Sequence, residues 1–206
     1  MNYQKPDYWA DRARKEAYPA RSVYKLKEIE EKFCLFKPAS PSGALRILDL
    51  GAAPGSWSLY SLRKLRSRCM LTAADINALS RQYDAGLFDG GNFRFIQGDI
   101  TQTEIREAIL SQGPFGLIMS DAAPSTTGNR RVDTCRSLEL AEAVLSYAES
   151  GLERGGNLVL KVFQGGETGP FLKRIRSIFS AGKSFKPEAC RSTSFETYII
   201  GLGKQR

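Results

Sequence analysis

From Leu45 onward the chain alternates short apolar segments with longer helical ones, and this alternation constrains the fold more than any other feature. Strand character is read at 46–50, 70–74, 93–97, 116–120 and 158–163, and helical character between them at 57–65, 103–110, 136–150 and 170–180. A βαβαβ series implies a mostly parallel sheet with helices covering both faces. Two more strands are expected near 183–187 and 197–203, with no room for a full helix between them. A parallel crossover needs a dozen residues or more, so that last pair should be antiparallel. The expected architecture is an α/β sheet of seven strands with an antiparallel last strand.

Ahead of the sheet, Val23, Leu26, Ile29 and Phe33 recur at helical spacing and predict a helix over 21–33. Residues 1–20 are basic, aromatic and poorly periodic, and read as an arm; 37–43, rich in Pro, Ser and Gly, read as a loop. One domain is expected over 1–206, with the arm and helix in 1–33 and the α/β core in 45–203.

Composition removes several chemistries. The chain has no histidine, and Cys34, Cys69, Cys135 and Cys190 lie far apart with no CxxC pair. A zinc site of the usual kind, a Ser-His-Asp triad and a histidine base are therefore excluded, and no metal is expected. Proton chemistry must fall to lysine or a carboxylate. No apolar run approaches the roughly 20 residues of a membrane helix, and the first residues lack the apolar stretch of a secretory signal. The expectation is a cytoplasmic protein without a membrane partner. Its net charge of +8 and pI near 9.4 make nucleic acid a candidate partner.

The strongest local feature is Ile47-Leu48-Asp49-Leu50-Gly51-Ala52-Ala53-Pro54-Gly55-Ser56-Trp57, a buried strand running through a small-residue turn into a helix. In open α/β sheets, ligands bind at the carboxyl ends of strands. Gly51 and Gly55 are expected to let backbone approach the ligand. The turn departs from G-x-G-x-x-G, lacks the P-loop pattern and carries no basic residue for a phosphate. Acidic residues instead stand at successive strand ends: Asp49, Asp75, Asp99 and Asp121. A ring of carboxylates suits a cationic cofactor with a ribose and no phosphates, and S-adenosylmethionine is such a molecule.

At this point the sequence resembles the FtsJ/RrmJ RNA methyltransferases. The resemblance starts at Asp49-Leu-Gly-Ala-Ala-Pro-Gly-Ser-Trp57 and extends to Ala20–Leu26, Gln97–Ile100, Ser120–Pro124, Leu160–Gly165 and Ser192–Tyr198, in order and with the same spacing. It implies a Rossmann-like methyltransferase fold that uses S-adenosyl-L-methionine. It also implies cofactor contacts at Gly55, Trp57, Asp75, Asp99 and Asp121, with Asp75 on the ribose, Asp99 on the adenine edge and Asp121 at the methionine end. Ala122 and Ser125 stand where the family commonly has methionine and asparagine, departures expected to tune the pocket wall.

The resemblance further names a Lys-Asp-Lys-Glu tetrad, which falls here on Lys25, Asp121, Lys161 and Glu196. Transfer of a methyl from a sulfonium to a ribose 2′-hydroxyl is an in-line displacement that needs alignment and removal of the hydroxyl proton. Lys161 lies within the apolar run Leu158–Phe163 and is the best candidate base. Burial and a second cation, Lys25, would lower its pKa, whereas Asp121 and Glu196 would oppose that. A charged Lys161 would instead stabilise the developing alkoxide.

Three basic clusters flank these motifs: Arg12-Ala-Arg14-Lys15, Arg63–Arg68 and Lys173–Arg176. Tyr3, Tyr8, Trp9 and Tyr18 interleave with the first, which suits stacking on unpaired bases. Arg130-Arg131 lies in a segment, 125–133, read as a long loop. The bacterial relatives that the chain most resembles methylate a uridine of 23S ribosomal RNA in the large subunit, so that RNA is the expected partner of a monomeric enzyme. Relatives acting on tRNA or mRNA caps share the tetrad, and the tetrad does not choose between them. A catalytically silent RNA-binding relative is disfavoured by the presence of all four tetrad residues. A nucleotide-dependent oxidoreductase is disfavoured by the missing third glycine and the acidic strand ends.

Overall fold

Successive side chains of a strand point to opposite faces, and in the computed structural model of this chain that alternation builds two cores. The structure describes residues 7–37, 43–191 and 193–205. Seven strands form one sheet: β1 (Leu45–Leu50), β2 (Cys69–Asp75), β3 (Phe93–Gln97), β4 (Phe115–Ser120), β5 (Leu152–Phe163), β6 (Phe179–Phe185) and β7 (Glu196–Lys204). Their order is β3-β2-β1-β4-β5-β7-β6. β7 pairs antiparallel with both β5 and β6, and the other pairings are parallel.

On one face Ile47, Leu71, Leu117, Val159 and Tyr198 pack against α2 (Val23–Phe33) and α3 (Ser56–Leu65). On the other, Leu48, Ala74, Ile118, Leu160 and Ile199 pack against α4 (Thr103–Leu110), α5 (Arg130–Gly151) and α6 (Thr168–Ile178). No helix among the described residues is long and apolar enough to cross a membrane.

Four departures from the sequence reading have local causes. The expected arm contains a helix, α1 (Tyr8–Lys15), opened by Asp7, whose side chain accepts from the Ala10 N–H. Eight residues are too few to display a period, yet Ala13 and Tyr18 are buried in the core. α5 starts six residues before the expected 136, because Asn129 accepts from the Arg131 and Val132 amides. Its first turn turns Asp133 inward onto the Thr127 N–H and hydroxyl, so no apolar stripe announces it. β5 begins at Leu152 rather than 158, through a shift of register opposite Phe115 and Leu117. β6 follows α6 directly, since Phe179 turns extended at the helix end and is buried. Tyr3, most of the expected 37–43 loop and Ser192 lie outside the described residues.

The carboxyl end of α5 is closed by a residue from the far end of the chain. Lys204 Nζ donates to the carbonyls of Ala148, Glu149 and Leu152 at 2.8, 2.8 and 2.9 Å. The Ala148 carbonyl also accepts from the Leu152 N–H, and a cation is favoured beside the carbonyls of a helix end. Replacing Lys204 by methionine should lower unfolding stability by about 1.5–3 kcal/mol, read from urea denaturation of the two proteins.

Candidate active site

β1 and β4 are neighbours, but the chain leaves β1 toward β2 and β3 on one side and continues from β4 toward β5 on the other. The connections diverge at the carboxyl ends of these strands, which opens a crevice there. A cavity of about 350 Å³ occupies it, lined by Gly51, Asp75, Ile76, Asp99, Asp121 and Leu140 among others. Among the described residues, three carboxylates and no lysine or arginine line it. Gly51 (φ +72°) borders the cavity, but a Cβ there would meet the Ala122 Cβ at 2.4 Å. The glycine lets two strand ends close on each other, a reason internal to the protein. Gly55 (φ +107°) likewise faces Phe88, 3.0 Å from where a Cβ would stand.

Asp75 is nearly buried and accepts from the backbone N–H groups of Ala53 at 2.9 Å and Asn77 at 2.8 Å. These bonds fix the carboxylate at the rim and leave each oxygen a further lone pair. Asp99 accepts from the N–H and hydroxyl of Thr101, which hold its carboxyl below the usual range. Asp49 was grouped with this ring, yet it is fully buried beneath the cavity and does not line it. One oxygen accepts from the Ser58 hydroxyl at 2.6 Å and the other has no partner. Burial, with Asp121 and Asp75 adding to it, pushes its pKa up to about 7.

Lys25, Asp121, Lys161 and Glu196, which come from α2, the end of β4, β5 and β7, meet at the edge of this cavity. Lys161 Nζ donates to the Asp121 carbonyl at 2.6 Å and stands 3.1 Å from its Oδ1. Lys25 Nζ donates to Glu196 Oε2 at 2.7 Å and lies 3.9 Å from Asp121 Oδ1. Burial disfavours the Lys25 ammonium, but Asp121 and Glu196 outweigh it and raise its pKa above the ordinary lysine value. A fifth member was missed. Tyr198 is fully buried, and its hydroxyl donates to Asp121 Oδ1 at 2.6 Å. Burial and the charge of Asp121 push its phenol well above the usual tyrosine range. The signal was there in two forms: Tyr198 is two residues beyond Glu196 on one strand, hence on the same face, and it pairs with Lys161 across the ladder.

Gly55 and Trp57 do not line the cavity. They open α3, whose first amides have no acceptor within the helix. The Trp57 indole is buried, donates to the Ser22 carbonyl at 2.9 Å and lies 5.8 Å from the Tyr198 ring. With Ser56, whose hydroxyl accepts from the Ala20 N–H, it fastens the start of α2 to α3 and so sets the position of Lys25.

With this geometry, residues 18–204 match the family described as FtsJ-like methyltransferase. The chain belongs to the FtsJ-like methyltransferase family. A Treponema denticola protein named Ribosomal RNA large subunit methyltransferase E is 48% identical over 200 residues, covering 97% of this chain and 96% of that one. One of the same name from Oleidesulfovibrio alaskensis is 41% identical over 199 residues, covering 96% and 91%. In fold the chain is similar to a crystal structure described as a ribosomal RNA methyltransferase from Plasmodium falciparum, with TM-score 0.75, 24% identity and coverage of 91% and 98%. It is also similar to human methyltransferase-like protein 13 in complex with SAH, with TM-score 0.59, 14% identity and coverage of 87% and 82%. The seven-stranded sheet expected from the alternation of elements is thus the Rossmann-like methyltransferase fold that the resemblance implied.

Asp49 generates a test of the buried charge beneath this site. An acid whose pKa is raised on folding binds more protons folded than unfolded, so stability falls as pH rises between the two values. The window runs from about 4, the ordinary carboxylate value, to about 7. Asp49→Asn should match the parent near pH 4 and exceed its stability above pH 7, on the order of 1–3 kcal/mol, by urea denaturation at both pH values.

Proposed function

We propose that the protein transfers a methyl group from S-adenosylmethionine to a ribose 2′-hydroxyl of RNA, at a uridine of 23S ribosomal RNA in the large subunit. The observation that carries this reading is that Lys25, Lys161 and Tyr198 converge on Asp121, which also borders the acidic cavity, with Glu196 joined to them through Lys25. The names of the Treponema and Oleidesulfovibrio relatives support ribosomal RNA as the substrate.

The cavity fits the cofactor by its donor set. Carboxylates without cations favour a positively charged ligand with hydroxyls over a phosphate-bearing one. Asp75 would take the ribose hydroxyls, Asp99 the adenine edge, and Asp121 the methionine end. Ile76, 64% exposed at the rim, offers an apolar surface to the base. The amides of the first α3 turn, after Gly55 and at Trp57, would hold a carboxylate. When bound, S-adenosylmethionine supplies an electrophilic methyl group whose sulfur leaves as the oxygen attacks.

The chain's own residues supply alignment and proton removal. Alignment contributes roughly 7–11 kcal/mol in well-oriented reactions. A neutral amine has two N–H groups and one lone pair. With both N–H groups of Lys161 directed at Asp121, the lone pair is left to accept the 2′-hydroxyl proton at Nζ. Lys25 remains an ammonium, balances the charge of Asp121 and Glu196, and steadies negative charge growing on the ribose oxygen. Tyr198 and Lys161 together hold the Asp121 side chain in one orientation.

The experiment uses large ribosomal subunits and free 23S ribosomal RNA from a bacterial strain deleted for its own enzyme of this family. Incubation with methyl-labelled cofactor should create one alkali-resistant linkage in the large-subunit RNA. Label on a base, or in tRNA alone, would overturn the reading. Lys161→Ala should lower single-turnover rate by at least about 100-fold with cofactor affinity changed less than about tenfold. Lys161→Arg keeps the charge but cannot accept a proton, and more than about a tenth of parental rate in it would exclude Lys161 as an obligatory base. Asp75→Ala should weaken cofactor binding by about 1.5–3 kcal/mol in calorimetry.

A further inference from the structure

A second cavity of about 600 Å³ lies where the start of α5 meets the loop that begins three residues beyond Lys161. Its walls are Arg130, Arg131, Thr134 and Leu138 from the start of α5, and Gln164 to Glu167 from the loop after β5. Two arginines face one carboxylate there, the opposite balance to the cofactor cavity. The Arg130 guanidinium lies 5.4 Å from the centroid of the Phe195 ring, which itself packs edge-on against Phe163 at 4.7 Å. Leu138 and the Thr134 methyl add apolar surface. Two arginines beside an apolar floor, one of them backed by the Phe195 ring, suit an unstacked nucleobase and its phosphate. The volume falls within the roughly 300–1,000 Å³ of small-molecule sites.

Continuity with the reaction centre sets which part of the RNA reaches it. Gln164 follows Lys161 by three residues, about 10 Å at roughly 3.3 Å per residue, and Phe195 directly precedes Glu196. That span exceeds the target ribose and reaches the adjacent nucleotide. The other basic clusters are more occupied. Arg174 is paired with Glu142 and Glu149, Arg12 with Glu16, Arg14 with Asp11, and Lys64 with Glu30.

We propose that the cavity between the amino end of α5 and the 164–167 loop is a nucleobase subsite that holds the RNA residue flanking the methylated ribose. Arg130 covers the base from above Phe195, and Arg131 takes its phosphate. The subsite rests on the RNA-methylating function proposed above, and it explains how an enzyme with a general tetrad selects one position: the flanking base must be free to leave its stack.

The test fills the cavity without touching the tetrad or the cofactor site. A Cβ on Gly166 would meet nothing within 4 Å, so Gly166→Trp places a ring in the cavity without a clash at its base. With 23S ribosomal RNA as the probe, Gly166→Trp and Arg130→Ala should each weaken RNA binding about tenfold. Cofactor affinity and melting temperature should stay at the parental values. In parallel, a 4-thiouridine-substituted transcript of 23S ribosomal RNA should crosslink to peptides containing residues 130–138 or 195. Parental RNA affinity in Gly166→Trp, an equal loss of cofactor affinity, or crosslinks confined to other surfaces would overturn the subsite. Binding and crosslinking need no turnover. Failure of the parent to methylate ribose with these two results intact would sink the proposed reaction and leave the subsite standing.

Discussion

The geometry of this protein follows from one topological constraint. Parallel strands must be joined by crossovers that pack helices on the sheet, and such crossovers are right-handed. When the chain builds β1, β2 and β3 outward in one direction and then returns to place β4 on the other side of β1, helices are forced onto both faces. The loops leaving β1 and β4 part at that boundary, and the acidic cavity opens between them. Both the acidic cavity and the tetrad sit there because Asp121 follows the last residue of β4 and Asp75 ends β2.

Asp121 links the two halves of the site. Its side chain borders the cavity while its Oδ1 accepts from Tyr198 and faces Lys161, and its carbonyl accepts from Lys161 as well. A half-buried carboxylate held by several donors cannot reorient without leaving one of them unpaired, which is costly in a low-dielectric interior. The wall of the acidic cavity and the position of the lysine amine are therefore referred to the same few atoms. Lys25 adds the compensating charge, and its own place depends on the Trp57 indole and Ser56 hydroxyl that fasten α2 to α3. Residues of the glycine-rich turn thus reach the reaction centre through packing as well as through backbone.

Charge on the surface is sorted in a way that net charge alone does not convey. Many arginines and lysines of the basic clusters bond to carboxylates or carbonyls of neighbouring elements, as Arg63 does with the carbonyls of Glu16 and Tyr83. Exposed pairs of this kind are worth little and can exchange partners when a phosphate approaches. The cavity lined by Asp75, Asp99 and Asp121 and the cavity lined by Arg130 and Arg131 carry opposite charge, so the basic surplus is not spread evenly over the surface.

Much of this was legible in the sequence. The number and direction of the strands, the strand-turn-helix at Leu50–Trp57 and the acidic strand ends follow from local rules of periodicity, crossover length and turn chemistry, whereas the order of the strands in the sheet does not. Where those rules were silent, tertiary packing decided. The first turn of α5 is exposed except at Asp133, where an inward carboxylate stands in the place an apolar residue would mark. The role of Tyr198 depends on which residue lies across the ladder, and that is a matter of register. Asp49 looks like Asp75 and Asp99 in sequence, but strand alternation and the Ser58 hydroxyl on α3 place it under the cavity rather than in it. The sequence by itself determined the architecture and the residue types that surround a cationic ligand, because periodicity and turn chemistry are local. Only the tertiary structure decided which carboxylates face the cavity and which lysines meet Asp121, because those distances join segments as far apart as Lys25 and Glu196.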